Sequence, residues 1–280
     1  MTSAAQAVAA YDFPAALALY DQALAQPGLT PETEYELRRQ RTVCYERLGR
    51  LTDWMADLAA MLALAEDLGD PARQARALAG QAIALGFLGS EEAGGRAGER
   101  ALALARELGD GGLEAEALFA RSATPFFQGQ LVEVQQLLTE CLPLARAAGL
   151  RSVETMALGR LALAILFQGG TDAATKLAQQ ALALAREDGD RRLEGQAFTT
   201  LRFMTPDLVV RRNYGELALA RATAVGDLPR QRAAYNNLAL DYLDLGLYRK
   251  AQRYARHAVA GGRAMGSPST LSTFLNTLGR

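Results

Sequence analysis

Apolar residues along this chain recur at three- and four-residue steps, most clearly in four related segments: MLALAEDLGD at 61–70, ALALARELGD at 101–110, LPLARAAGL at 142–150 and ALALAREDGD at 181–190. That period puts Ala and Leu on one face of an α-helix. The resulting stripe is too wide for an isolated helical hairpin to cover, so neighbouring copies of the unit must bury it. Alanine at the contact points lets helix axes approach closely.

Glycine punctuates these segments. Gly69, Gly109, Gly149, Gly189, Gly226 and Gly266 are spaced by 40, 40, 40, 37 and 40 residues, and Gly49, Gly89, Gly129, Gly169 and Gly246 fall between them. Each repeat therefore divides into two segments of helical length. Ser90 stands where a cap is expected, followed by Glu91 and Glu92, and Gly109 ends the helix that they begin. Other helices open at Thr30-Pro31, Asp70-Pro71, Asp110, Asp190 and Asp227. The pattern predicts an all-α fold, an α-solenoid of stacked antiparallel helix pairs coiled into a right-handed superhelix. One solenoid domain, 1–280, is expected, with approximate repeats 1–28, 29–69, 70–109, 110–149, 150–189, 190–226 and 227–266, and a terminal capping or truncated helix at 267–280.

Residues 233–260 resemble the tetratricopeptide repeat: Tyr235, Leu238, Ala239 and Tyr242 lead to Leu245-Gly246, and Tyr248, Ala251, Ala255 and Ala258 follow. Phe13, Ala16, Tyr20, Ala23 and Leu24 match the family's second-helix packing residues, and Ala82, Ser122, Ala162 and Ala239 keep a small residue seven positions before a turn glycine. The period is longer than the family's usual one of about 34 residues, and Leu mostly replaces the tryptophan-type residue early in the first helix. Longer repeats of this kind are similar to those of bacterial signalling regulators and kinesin light chains. The resemblance implies a helical scaffold whose concave face binds protein or peptide.

Formal net charge is −1, which lacks the basic field of a nucleic-acid binder. No run approaches the roughly 18 apolar residues of a membrane span, and a cytoplasmic setting is expected. Cys44 and Cys141 lie on distant repeats and read as small buried hydrophobes. The single histidine, His257, reads as a solvated surface residue, no Cys/His cluster has metal-ligand spacing, and the Gly-Gly pairs precede no phosphate loop. No cofactor and no enzymatic activity are expected.

Phe87, Phe127 and Phe167 recur at intervals of 40, so stacking should align them in a row, with Phe126 beside it. Phe119 and Phe203 fall on first-helix positions that face the concave surface in the family resembled. These rings either fill extra volume in a long repeat or form the apolar floor of a groove. Flanking polar candidates for partner binding are Arg39, Arg160, Asn236 and Asn237, the asparagines by analogy with backbone-binding asparagines of the family. Two functions follow. One is a non-enzymatic scaffold that binds a partner's peptide or helix in its concave groove; the other is a ligand- or peptide-sensing regulatory domain of a larger bacterial signalling or transcriptional regulator. Self-association is left open.

The beat fails between Gly189 and Gly226. Thr205-Pro206 should stop the first helix of that repeat near Met204. Arg202 takes the place of the small residue and needs a carboxylate, with Asp207 and Glu194 the nearest in sequence. Residues 204–213 are expected to form an irregular connection that exposes Arg211 and Arg212.

Overall fold

The computed structural model describes residues 3–265, and every regular element among them is helical. The chain divides between Glu154 and Thr155 into two compact units. The first contains α1 (Ser3–Ala9), α2 (Phe13–Leu24), α3 (Pro31–Leu48), α4 (Leu51–Asp67), α5 (Pro71–Leu88), α6 (Glu91–Leu108), α7 (Gly111–Arg121), α8 (Ala123–Phe127), α9 (Leu131–Ala147) and the start of α10 (Arg151–Phe167). The second contains the rest of α10, α11 (Thr171–Glu187), α12 (Arg191–Met204), α13 (Leu208–Ala224), α14 (Leu228–Asp244) and α15 (Tyr248–Met265). Taken in order, the described helices form seven consecutive pairs, the fourth opening with a helix split into α7 and α8. The expected terminal helix at 267–280, like Gly266, lies outside the described residues.

Both combs of glycine mark helix ends. Gly49, Gly69, Gly89, Gly109, Gly129, Gly149, Gly169, Gly189, Gly226 and Gly246 all have φ between 60° and 92°. This left-handed conformation is strained for residues with a Cβ. At Gly69 its own N–H donates to the Glu66 carbonyl at 3.0 Å, and the Asp70 N–H donates to the Ala65 carbonyl at 3.0 Å. The reversal thus satisfies carbonyls that the helix end leaves orphaned.

The residue after several of these glycines opens the next helix. Asp70 accepts the Arg73 N–H at 2.9 Å, and Asp110 accepts those of Gly112 and Leu113 at 2.9 and 3.0 Å. Asp190 and Asp227 cap in the same way. Ser90 departs from expectation: its side chain makes no capping hydrogen bond, and α6 begins without one. A second tie crosses three of the turns. Arg106 pairs with Glu114 at 2.7 Å, Arg146 with Glu154 at 2.7 Å and Arg186 with Glu194 at 3.3 Å, each eight residues apart and repeating every 40.

Helices pack on their successors, and alternate helices also meet, α5 lying against both α6 and α7. The small residues seven before the turn, Ala82, Ser122, Ala162 and Ala239, are fully buried. In the second unit Ala162 packs with Ala174, Ala178, Leu201 and Met204. Large side chains fill the first unit's opening pairs instead, where Phe13, Tyr20, Tyr35, Tyr45, Trp54 and Met61 share a core. Cys44 and Cys141 are buried free thiols, as small hydrophobes are. Burial pushes the Cys44 thiol up to about 11. Among the described residues no helix is long and apolar enough to cross a membrane.

Where the beat fails, α12 ends at Met204 as the proline dictates, and Thr205 is extended at φ −105°, ψ 127°. The expected irregular stretch is shorter than residues 204–213: only 205–207 lie outside helices, because Asp207 caps α13 by accepting the Val209 and Val210 N–H groups at 2.8 and 2.9 Å. Arg202 is buried and meets neither Asp207 nor Glu194. Asp207 is committed to its cap, and Glu194 to Arg186 and Arg221. The partner is Asp241 of α14, engaged by two nitrogens of Arg202 at 2.8 and 2.7 Å, while a guanidinium N–H also donates to the Asn237 carbonyl at 2.9 Å. Arg211, expected to be presented to a partner, is drawn in as well: its Nε lies 2.8 Å from Asp241, and it pairs with Asp244. Arg212 is half-buried, 3.7 Å from Glu216.

Two measurements test this account. Arg202→Ala leaves Asp241 buried with reduced compensation, so urea melts should show a loss of about 3 to 5 kcal/mol, whereas Arg202→Met with Asp241→Leu should cost much less. Gly109→Ala should cost about 1 to 2 kcal/mol for its left-handed backbone. Gly95→Ala, inside α6 with open space around the site of the new methyl, should gain roughly 0.5 to 1 kcal/mol.

Candidate functional site

The sequence Arg121-Ser-Ala-Thr-Pro125 breaks the first helix of the fourth pair. Pro125 has no N–H to donate and its ring crowds the carbonyl four residues back. Ser122 caps the interruption from inside, its hydroxyl donating to the Phe119 carbonyl at 2.7 Å. The short α8 that follows carries Phe126 and Phe127 onto α5. Glycine at position 86 makes the approach possible, since a methyl there would come within 3.1 Å of the Phe127 ring.

Phe87 and Phe127 meet edge to face, with ring centroids 5.7 Å apart and planes at 62°. Phe126 adds a second edge contact to Phe127 at 6.0 Å. Phe87 is 46% exposed and Phe127 48% exposed. The 40-residue spacing therefore brings together two rings that keep half their surface in water. Phe119 behaves differently: at 7% exposure it belongs to the core, not to an open face. Of the two roles its position left open, the structure shows volume filling.

A charged row runs across α3, α5 and α7. On α3, exposed Arg39 grips Glu36 through two hydrogen bonds of 2.8 and 2.6 Å, and Gln40 donates to the same carboxylate at 2.9 Å. The Arg39 hydrogen bonds hold the Glu36 carboxyl below its ordinary range. On the next two first-helices, Arg76 Nε lies 3.6 Å from Glu116. Burial raises the Glu116 carboxyl above its ordinary value, with Arg76 and Arg39 opposing it. Glu36, Arg76 and Glu116 are spaced by 40, a regularity visible in the sequence but overlooked beside the phenylalanines. Beneath them Tyr35 ties α3 to α5, its hydroxyl donating to the Arg73 carbonyl at 3.0 Å.

The second unit holds the other candidates. Phe167 is 57% exposed and Phe203 43% exposed, the latter with the Arg202 guanidinium 5.1 Å from its ring centre. Arg160 is half-buried. Asn236, expected on an open face, is instead buried in α14, and among the described residues its Oδ1 has no hydrogen-bond partner. Asn237 is half-buried, with its carbonyl taken by Arg202. His257 is exposed and stacks on Tyr235 at 5.1 Å.

Solved structures share the fold of paired helices. A Rap protein complexed with Competence and Sporulation Factor superposes with a TM-score of 0.77 at 15% identity, over 94% of this chain and 73% of that one. The Rap conjugation gene regulator of plasmid pLS20, in complex with the Phr* peptide, gives 0.76 at 12% identity over 94% and 72%. Aspartyl phosphate phosphatase F from Bacillus subtilis gives 0.58 at 15% identity over 99% and 79%. The fold is the tetratricopeptide-like helical repeat. No protein-family model and no curated protein matches the chain. The tetratricopeptide-like repeats here share a backbone plan with those proteins, at identities that speak to fold alone.

Phe119→Ala should cost about 3 to 5 kcal/mol in chemical denaturation, whereas Phe87→Ala, losing a ring already half in water, should cost less than about 1.5 kcal/mol. Equal losses would erase the distinction between core and surface rings. Tyr35 gives a pH signature. Burial pushes its hydroxyl from 10.0 up to about 12, so its contribution is complete below the unfolded value and is lost as pH rises from there through about 12. Tyrosinate absorbance should show a late-titrating fraction, to which Tyr242 also contributes through burial and its bond to Glu216, and that fraction should fall by one residue in Tyr35→Phe.

Proposed function

We propose that the protein is a non-enzymatic scaffold that binds a peptide segment, seating an apolar side chain against Phe87 and Phe127 and meeting the peptide's polar groups with Arg39, Glu36, Arg76 and Glu116. One observation carries this reading: two aromatic rings from different repeats converge on each other and remain about half exposed. A soluble fold gains by covering such rings, and aromatic side chains with a surrounding polar rim are the usual anchors of binding surfaces. The alternating Glu36, Arg76 and Glu116 row suits a backbone with both donors and acceptors. Phe126 widens the apolar part of the surface. In the second unit, exposed Phe167 and Phe203, with half-buried Arg160 and Asn237, are further candidates for partner contact.

The comparisons lend support, since one similar structure holds the Phr* peptide and another is a complex with Competence and Sporulation Factor. That the former is a gene regulator favours a second reading, a peptide-sensing domain of a larger signalling or transcriptional regulator. In either case the recognition step is the same.

A displayed library of random heptapeptides, selected on the full chain, supplies the probe. Enriched peptides should carry an apolar or aromatic residue and should lose at least about tenfold in affinity on Phe87→Ala or Phe127→Ala, with little change in melting temperature. Enriched peptides that bind both variants as they bind the parent chain would overturn the site.

A further inference from the structure

The break between α7 and α8 has a second effect, at residues other than the phenylalanine pair. It opens a cleft of about 220 Å³ between the start of α6, α8 and the start of α9. Its walls carry four carboxylates, Glu91, Glu92, Glu99 and Glu133, and a single cation, Arg121. Internal pairing is incomplete. Arg121 reaches Glu133 at 3.2 Å and Glu99 only at 3.9 Å, Gln128 donates one hydrogen bond to Glu91 at 2.9 Å, and Glu92 pairs with Arg96 at the surface. An ionised carboxylate accepts about four hydrogen bonds, so most of this acceptor capacity faces solvent and is open to a ligand.

Thr124 is an independent sign of a missing partner. It lines the cleft at 6% exposure, and its Oγ1 takes part in none of the hydrogen bonds among the described residues. The oxygen lies against Gly94, 2.9 Å from the place a methyl would occupy, so only glycine there leaves room for it. Its hydroxyl is open to the cleft and not sealed in the core, and it can accept a ligand N–H.

The chemistry of the occupant follows from the walls. Apart from Gly95 and Pro125 they are polar, which disfavours an apolar guest. Four negative charges against one positive disfavour an anion. Among the described residues no three His, Cys, Asp or Glu side chains come together closely enough to hold a metal ion, so the acceptors are spread over a volume that one bare ion does not span. We propose that this cleft binds an organic cation bearing ammonium or guanidinium groups, which donate to Glu99 and Glu133 at one end and to Glu91 and the Thr124 hydroxyl at the other. The cationic groups come either from a free polyamine or from a basic side chain, and these sources are told apart by experiment.

Titration calorimetry on the full chain at low salt, with spermidine and with the capped tripeptide acetyl-Gly-Arg-Gly-amide as probes, tests the assignment. Saturable binding of one probe molecule per chain is expected. It should weaken at least about tenfold in the Glu99→Gln, Glu133→Gln double variant and about threefold in Thr124→Val. Glu107→Gln, an exposed carboxylate of α6 outside the cleft, should leave it unchanged. Matching thermal melts establish that the variants are folded. Binding of the tripeptide as tightly as spermidine identifies a basic side chain as the source, and binding of spermidine alone identifies a free polyamine. Absence of saturable binding by both probes overturns the proposal, as does equal weakening by Glu107→Gln or displacement by magnesium at equal concentration, which would mean diffuse attraction to an acidic surface.

Discussion

A helix that must stop and hand the chain to an antiparallel neighbour within two residues has to place one of them near φ +60°, and ten glycines on the two combs do so here. This constraint fixes where each helix ends relative to the next, and therefore which residues face each other across successive repeats. The turn ties Arg106–Glu114, Arg146–Glu154 and Arg186–Glu194, the Glu36, Arg76 and Glu116 row and the Phe87–Phe127 contact all arise because a position recurs after 40 residues on the same face of an equivalent helix. Surface chemistry in such a fold is a matter of register.

The two proline interruptions show how the scaffold absorbs a break. At Pro125 the helix resumes after a single residue, and α8 both seats Phe127 against Gly86 and walls a cleft with α6 and α9. At Pro206 the helix ends, and the small residue that other repeats bury is replaced by Arg202. A guanidinium in that place is tolerable only because Asp241 comes from a different helix to meet it. One interruption yields a surface, the other a buried charge that is balanced across repeats.

Much of this was legible in the sequence because it is local. Glycine turns, aspartate caps, the stop at Met204 and the small buried residues depend on backbone conformation and on neighbours within one repeat, and the 40-residue spacing of Phe87 and Phe127 was enough to bring them together. What escaped is non-local. Arg202 lies near Asp207 in the chain, yet Asp207 is drawn to the N-terminus of α13, and the partner stands 39 residues away. Phe119 and Asn236 stand at the same place in their repeats, ten residues before a turn glycine, where Ala79 and Gly159 are buried as well and Arg39 is exposed, so the place is set by packing against adjacent helices and not by spacing along the chain. The split of α7 from α8 had a local cause in Pro125, whose effect was masked by the strength of the surrounding repeat.

The Arg202–Asp241 pair also bears on how such a chain changes by duplication and loss of segments. Repeats joined through glycine turns and alanine contacts make similar demands on any neighbour, so unequal crossing-over can add or delete one of them without stranding a charge. The last two described pairs cannot be separated on those terms, because a crossover between α12 and α14 leaves an arginine in one product and an aspartate in the other, each without its counterion in the interior. Those two repeats are expected to pass through gene rearrangements together, as one heritable block in an otherwise modular array.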